Sequence, residues 1–128
     1  MEPIPAHANA VARQIVDAAF CVHKALGPGL LESVYQVCLA HELQKRGLAV
    51  RQQVVLPVRY DGLELDAGLR LDMLVAECVV VELKSVERLL PIHKAQALTY
   101  LKLTGHRLAL LINFNVPVIK DGIERIAL

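Results

Sequence analysis

Three ionisable side chains, Asp72, Glu82 and Lys84, are set into two runs dominated by Leu and Val. The runs are Leu69-Arg70-Leu71-Asp72-Met73-Leu74-Val75 and Val79-Val80-Val81-Glu82-Leu83-Lys84. Runs of this length and composition, separated by a short gap, predict a hairpin at the centre of a sheet. A charge inside such a strand is costly unless it is paired or bound to a metal. Side chains alternate along a strand, so Glu82 and Lys84 share one face and Leu83 takes the other.

The turn decides whether Asp72 joins them. A two-residue turn at Ala76-Glu77 pairs Asp72 with Val81 and sends the two carboxylates to opposite faces. A three-residue turn at Ala76-Glu77-Cys78 pairs Asp72 with Glu82 directly. Like charges opposite one another destabilise a sheet. The second arrangement makes sense if a divalent cation lies between the carboxylates with Lys84 beside it, and on that argument we expect the three-residue turn.

Two further residues join the candidate set. Glu32 falls on the same helical stripe as Leu39 and Leu43, with Tyr35 alongside. Gln96 lies in a polar patch with Thr99 and Tyr100 on a later helix. Each has a bland alternative: a first-turn Glu favoured by the helix dipole, a surface Gln, an ion pair between Asp72 and Arg70 or Lys84, an exposed Glu82–Lys84 pair on an edge strand. Acidic oxygens with a backbone carbonyl suit a hard cation, Mg²⁺ or Mn²⁺. Cys21, Cys38 and Cys78 are isolated, and His7, His23, His41, His93 and His106 show no ligand spacing, so zinc is disfavoured. A carboxylate-bound Mg²⁺ with a neighbouring lysine can orient water at a phosphorus and offset charge in the transition state, which is the chemistry of phosphodiester hydrolysis.

The elements that must position these groups can be read in order. Residues 1–8 look like a flexible tail. Val11, Ile15, Ala18, Val22 and Leu26 recur at helical spacing, with Asn9 as the expected N-cap and Gly27-Pro28-Gly29 as the stop. A second helix spans about Leu30 to Arg46 and, being apolar around most of its circumference, should be largely buried. Val50 to Tyr60 reads as a strand, Asp61-Gly62 as a turn, and the stretch from Leu63 as a strand leading into the central hairpin, with Gly68 marking a bulge or bend. A third helix from about Ile92 to Thr104 follows Pro91. Leu108–Phe114 and about Ile123–Leu128 read as the last strands. The order is ααβββαββ, an α/β (α+β) arrangement. The helix between the third and fourth strands implies a crossover that makes those two parallel, in a mixed sheet with helices on its faces.

The bulk composition sets limits. A chain of 128 residues is expected to form a single domain with a real core. Its net charge of +1 does not announce a strongly basic nucleic-acid module. Met1-Glu2-Pro3-Ile4-Pro5 lacks the basic start and apolar run of a signal peptide. With isolated cysteines expected to be buried and reduced, the reading is a cytoplasmic protein without a membrane segment.

Asp72 followed by Glu82-Leu83-Lys84 resembles the PD-(D/E)xK motif of restriction-endonuclease-like nucleases. Gly29-Leu30-Leu31-Glu32-Ser33-Val34-Tyr35 is similar to the motif that names the small GxxExxY family within that superfamily. Further likeness lies in Leu26-Gly27-Pro28-Gly29, in Gln96-Ala97-Leu98-Thr99-Tyr100-Leu101, and in Leu110-Leu111-Ile112-Asn113-Phe114. The resemblance implies an αβββαβ core. It implies that Glu32, Asp72 and Glu82, with the Leu83 carbonyl, hold the metal. Lys84 would serve the water, and Gln96 would steady Lys84 or the water. Leu71 stands where the motif usually has Pro. The expected substrate is nucleic acid, DNA before RNA. Two other classes compete. One is a non-catalytic nucleic-acid module using Arg88, Lys94 or Lys102 on phosphates. The other is an assembly subunit, such as a homodimer, motivated by the 55% hydrophobic content.

Overall fold

A computed structural model describes residues 2–128. Its first helix, α1 (Ala6–Leu26), buries Ala8, Val11, Ala12, Ile15, Ala18, Ala19 and Val22, a single stripe at three- and four-residue spacing. The helix begins one turn before the expected Asn9 cap. Pro5 is the N-cap residue, and its carbonyl accepts the first helical bond from Asn9 N–H at 3.1 Å. Ala6-His7-Ala8 offers nothing to stop the helix there, so the expected tail of residues 1–8 shortens and Ala8 is in the core. The Asn9 side chain instead accepts from Arg125 at 2.6 Å. Gly27, at φ 71°, ends the helix with its N–H on the His23 carbonyl.

Helix α2 (Glu32–Lys45) buries only Tyr35, Leu39, Ala40 and Leu43. The expectation of a largely buried helix fails: Leu31 is 73% and Val37 65% exposed. α2 is an outer-layer helix, with the sheet beneath it and α1 beside it, so its remaining arc has no neighbour. The cysteine expectation is also corrected, since Cys21 is exposed and Cys38 and Cys78 are only half-buried.

Strands β1 (Val50–Val55), β4 (Arg70–Val75), β5 (Val79–Lys84), β6 (Leu108–Asn113) and β7 (Ile123–Ala127) form one sheet in the order β1-β4-β5-β6-β7. β5 and β6 are parallel and the other neighbours antiparallel. The parallel pair is the one joined through helix α3 (Pro91–Thr104), as a crossover requires. The sheet and helices therefore follow the ααβββαββ order. The stretch from Val50 to Tyr60 is not one strand, however. The ladder of β1 ends at Val55, just ahead of Pro57, which cannot donate to one. Beyond it, β2 (Val58–Tyr60) pairs with β3 (Leu63–Leu65) across Asp61-Gly62 as a separate two-stranded hairpin. Leu63–Leu65 thus belongs to an excursion between β1 and β4. Gly68 (φ 75°) bends the chain back toward β4.

Helices α1 and α2 cover one face of the sheet, over Met73, Val75, Val79, Val81, Leu83, Leu108, Leu110 and Ile112. Helix α3 covers the other, where Tyr100 and Leu101 pack with Leu74, Val80 and Ala109. This is a three-layer arrangement with a core on each side of the sheet. Among the described residues, no helix is long and apolar enough to cross a membrane.

Candidate active site

The connection between β4 and β5 has three residues. Val75 pairs with Val79, Leu74 with Val80 and Met73 with Val81. Ala76 (φ 51°) and Glu77 (φ 55°) take left-handed conformations, and Cys78 N–H donates to the Val75 carbonyl at 3.1 Å. The next residues in this register are Asp72 and Glu82, opposite one another. Both lie on the α3 side, with Leu74 and Val80, because Met73 and Val81 belong to the other core.

Here the strands part. Asp72 N–H donates to Glu82 Oε1 at 3.1 Å, and Leu83 N–H donates to Asp72 Oδ2 at 2.7 Å. The carboxylates therefore accept from backbone N–H groups where the β4–β5 ladder stops. On the far side of β4, Gln53 of β1 stands across from Asp72 with φ 50°, so the edge strand is also distorted at this level. Lys84 O accepts from Phe114 N–H on the β6 side. Alternation then turns the peptide groups of Leu83 toward β4, and its carbonyl faces the mouth of the splay.

Glu82 is 5% exposed and Asp72 is half-buried. Burial, and then the charge of Asp72, push the Glu82 carboxyl up from 4.5 to about 8, against the pull of the Asp72 N–H bond and of Lys84. Near neutral pH, without a cation, burial and Asp72 together favour the protonated form of the Glu82 carboxyl. None of the ion pairs within 4.0 Å among the described residues involves Asp72, Glu82 or Lys84. Two apposed carboxylates with a carbonyl beside them are the donors a hard divalent cation takes, and a cation would replace the proton.

Lys84 follows on the same face and is half-buried. Tyr100 is a residue near the site that spacing alone does not single out. It is 6% exposed on α3 and packs with Leu71, Leu74 and Val80 on the sheet face that carries the acid pair; burial, and then the charges of Glu82 and Asp72, push its hydroxyl up. The sequence signal was its place one turn after Gln96 in the polar patch. Gln96 is exposed and, among the described residues, makes no side-chain hydrogen bond to the pair or to Lys84.

Glu32 does not converge with the acids as expected. It is exposed in the first turn of α2, and among the described residues no three His, Cys, Asp or Glu side chains form a group able to hold a metal. α2 packs on the opposite face of the sheet, where Gln36 accepts from Gln53 Nε2 of β1 at 2.8 Å. The loop before α2 is tied to the end of β5 by Ser85 Oγ, which donates to the Leu30 carbonyl at 2.6 Å. Tyr35 fixes the loop involved: its hydroxyl donates to Gly27 O at 2.6 Å and accepts from Leu30 N–H at 3.1 Å. Its ring stacks on Phe114 at 4.5 Å between centroids, with an interplanar angle of 7°.

A mixed sheet between helices, with an acid pair and a lysine where two central strands part, has the form of a restriction-endonuclease-like domain. A sequence model of the PD-(D/E)XK nuclease superfamily matches residues 9–126, and the chain belongs to that superfamily. No curated protein and no solved structure matches it.

Proposed function

We propose that this chain hydrolyses phosphodiester bonds in nucleic acid, DNA in preference to RNA, using Mg²⁺ or Mn²⁺. The observation that carries the reading is the apposition of Asp72 and Glu82 across the splayed strands, with Lys84 on the same face. Asp72, Glu82 and the Leu83 carbonyl would hold the cation, which when bound supplies an activated water and a counter-charge for the phosphate. Lys84 then holds the attacking water or the phosphate oxygen by charge-assisted hydrogen bonding. Tyr100 and Gln96, on one stripe of α3, close the site from above, and Gln96 orients Lys84 or the water. Glu32 contributes from the start of α2 through water rather than as a direct ligand. The GxxExxY likeness is supported by what Tyr35 does, since its hydroxyl bonds hold the loop that precedes Glu32. Free cysteines fit action in the reducing cytoplasm.

The test is cleavage of supercoiled and single-stranded DNA, with RNA in parallel, in the presence of Mg²⁺ or Mn²⁺. Activity lost in Asp72→Asn and in Lys84→Ala supports the reading; a wild-type chain inert across the panel ends it. A second reading, a nucleic-acid-binding module without catalysis, is favoured by the place of Glu32 outside the acid pair. Binding would then survive Asp72→Asn and weaken on removal of the exposed Arg88 or Lys102. Lys94 is less suited to that role, being paired with Glu124 at 3.4 Å.

A further inference from the structure

Lys84 is the last residue of β5, and the chain after it, residues 85–90, has no regular structure. A lysine at a strand end carries its ammonium on a long, flexible stem, so its aim depends on what holds the following peptides. Asn113, 1% exposed and the register partner of Lys84 on β6, supplies that hold. Its Oδ1 accepts from Val86 N–H at 3.1 Å, and its Nδ2 donates to Val86 O at 3.0 Å. Asn115 Nδ2 adds a second donor on Val86 O at 3.2 Å, and Asn115 N–H donates to Asn113 Oδ1 at 3.2 Å. Between them, Phe114 N–H donates to Lys84 O at 3.0 Å. Residues 113–115 thus grip the backbone on both sides of Ser85, while Ser85 Oγ is tied to Leu30.

The chemistry of the grip requires an amide. A carboxamide presents one acceptor and a donor side by side, as a peptide does, and so extends the β5–β6 pairing where the strands have ended. A carboxylate in its place offers only acceptors and would set one against Val86 O.

We propose that Asn113 is a positioning residue for Lys84, holding the Lys84–Val86 backbone so that the ammonium stays over the Asp72–Glu82 pair. The consequence for catalysis rests on the nuclease reading above; the effect on Lys84 itself does not.

The test uses Asn113→Asp, which keeps shape and removes the donor, in the full chain. Nuclear magnetic relaxation at Lys84 Cε reports its order. The expected result is an ordered Lys84 in the wild type and, in Asn113→Asp, an order parameter reduced to that of the exposed Lys24 and Lys102. kcat for Mn²⁺-dependent DNA cleavage should fall about 10- to 100-fold, with KM and Mn²⁺ affinity within about twofold of wild type. Added to Lys84→Ala, the substitution should cost nothing further, since its effect runs through that lysine. A mobile Lys84 in the wild type, an unchanged Lys84 in folded Asn113→Asp, or a further loss on top of Lys84→Ala overturns the proposal. If Asn113→Asp does not fold, Asn115→Ala removes only the second donor on Val86 O. A smaller loss of order at Lys84 is then expected, and none overturns the proposal. If the wild type cuts no nucleic acid, the nuclease reading falls, and the order parameter alone upholds or overturns the positioning.

Discussion

Glu82 holds a proton more tightly in the folded chain than in the unfolded one, because burial and Asp72 both disfavour its charge. Between about pH 4.5 and about pH 8 the folded state therefore binds more protons, and stability falls as pH rises through that window. Thermal melts of the metal-free protein should show Tm dropping by several degrees from pH 5 to pH 8. Glu82→Gln, which cannot ionise, should flatten that slope and raise Tm at pH 8, while abolishing cleavage. A wild-type slope unchanged by this substitution would mean that Glu82 is not the group that sets it. Asp72, Glu82 and Lys84 could be singled out from sequence because charge inside apolar strands is expensive and asks for a reason. Tyr100 could not, since a tyrosine on an amphipathic helix is ordinary core until its neighbours are known. Asn113 was visible only as part of a motif, because its partners are the peptide groups of Val86 and leave no mark in composition.

Among the elements, the β4–β5 hairpin depends most on turn length. Its parity was legible because only the three-residue turn puts both acids on one face, and the structure has that turn. Deleting Val80, inside β5, should shift the rest of that strand by one residue and send Glu82 to the α1–α2 face opposite Met73. The expected outcome is loss of Mn²⁺ binding by calorimetry, together with a large fall in Tm as Glu82 enters an apolar core. Helix α2 gives a second test. Tyr35→Phe keeps the stack on Phe114 and removes the bonds to Gly27 O and Leu30 N–H. Denaturant unfolding should show a cost of about 1–3 kcal/mol, and cleavage should fall as the loop before Glu32 loosens. What sequence could not show was the layer α2 occupies. Its apolar residues run around the helix, and nothing in the helix itself says that Leu31 and Val37 will meet no neighbour. The β2–β3 hairpin is hidden for a different reason: Asp61-Gly62 marks its turn, but a single Pro57 in an alternating apolar run does not say that the strands beyond it leave the main sheet.

At the scale of the whole molecule, the element order and the single parallel pair followed from one helix lying between two apolar strands. That topology brings the ends of β4 and β5 together beneath α3. The same arrangement links ion binding to global stability. A cation that needs both carboxylates ionised must displace the proton held by Glu82, so its apparent affinity depends on pH. With the Glu82 carboxyl at about 8, the apparent Kd for Mn²⁺ should weaken toward tenfold per unit below that, about 50-fold between pH 8 and pH 6. Calorimetry in buffers of different ionisation enthalpy should show close to one proton released per ion at pH 6.5, and little release above pH 8.5. An ion held between β4 and β5 would bind only the folded chain, so saturating Mn²⁺ should raise Tm, most strongly at pH 8, where the metal-free protein is weakest and the proposed site is most ionised. In Asp72→Asn the neighbouring charge is gone, so the Glu82 carboxyl falls, proton release at pH 6.5 shrinks and the Mn²⁺-induced gain in Tm is lost. Equal stabilisation by Mn²⁺ at pH 6 and pH 8 would place the ion away from the Asp72–Glu82 pair.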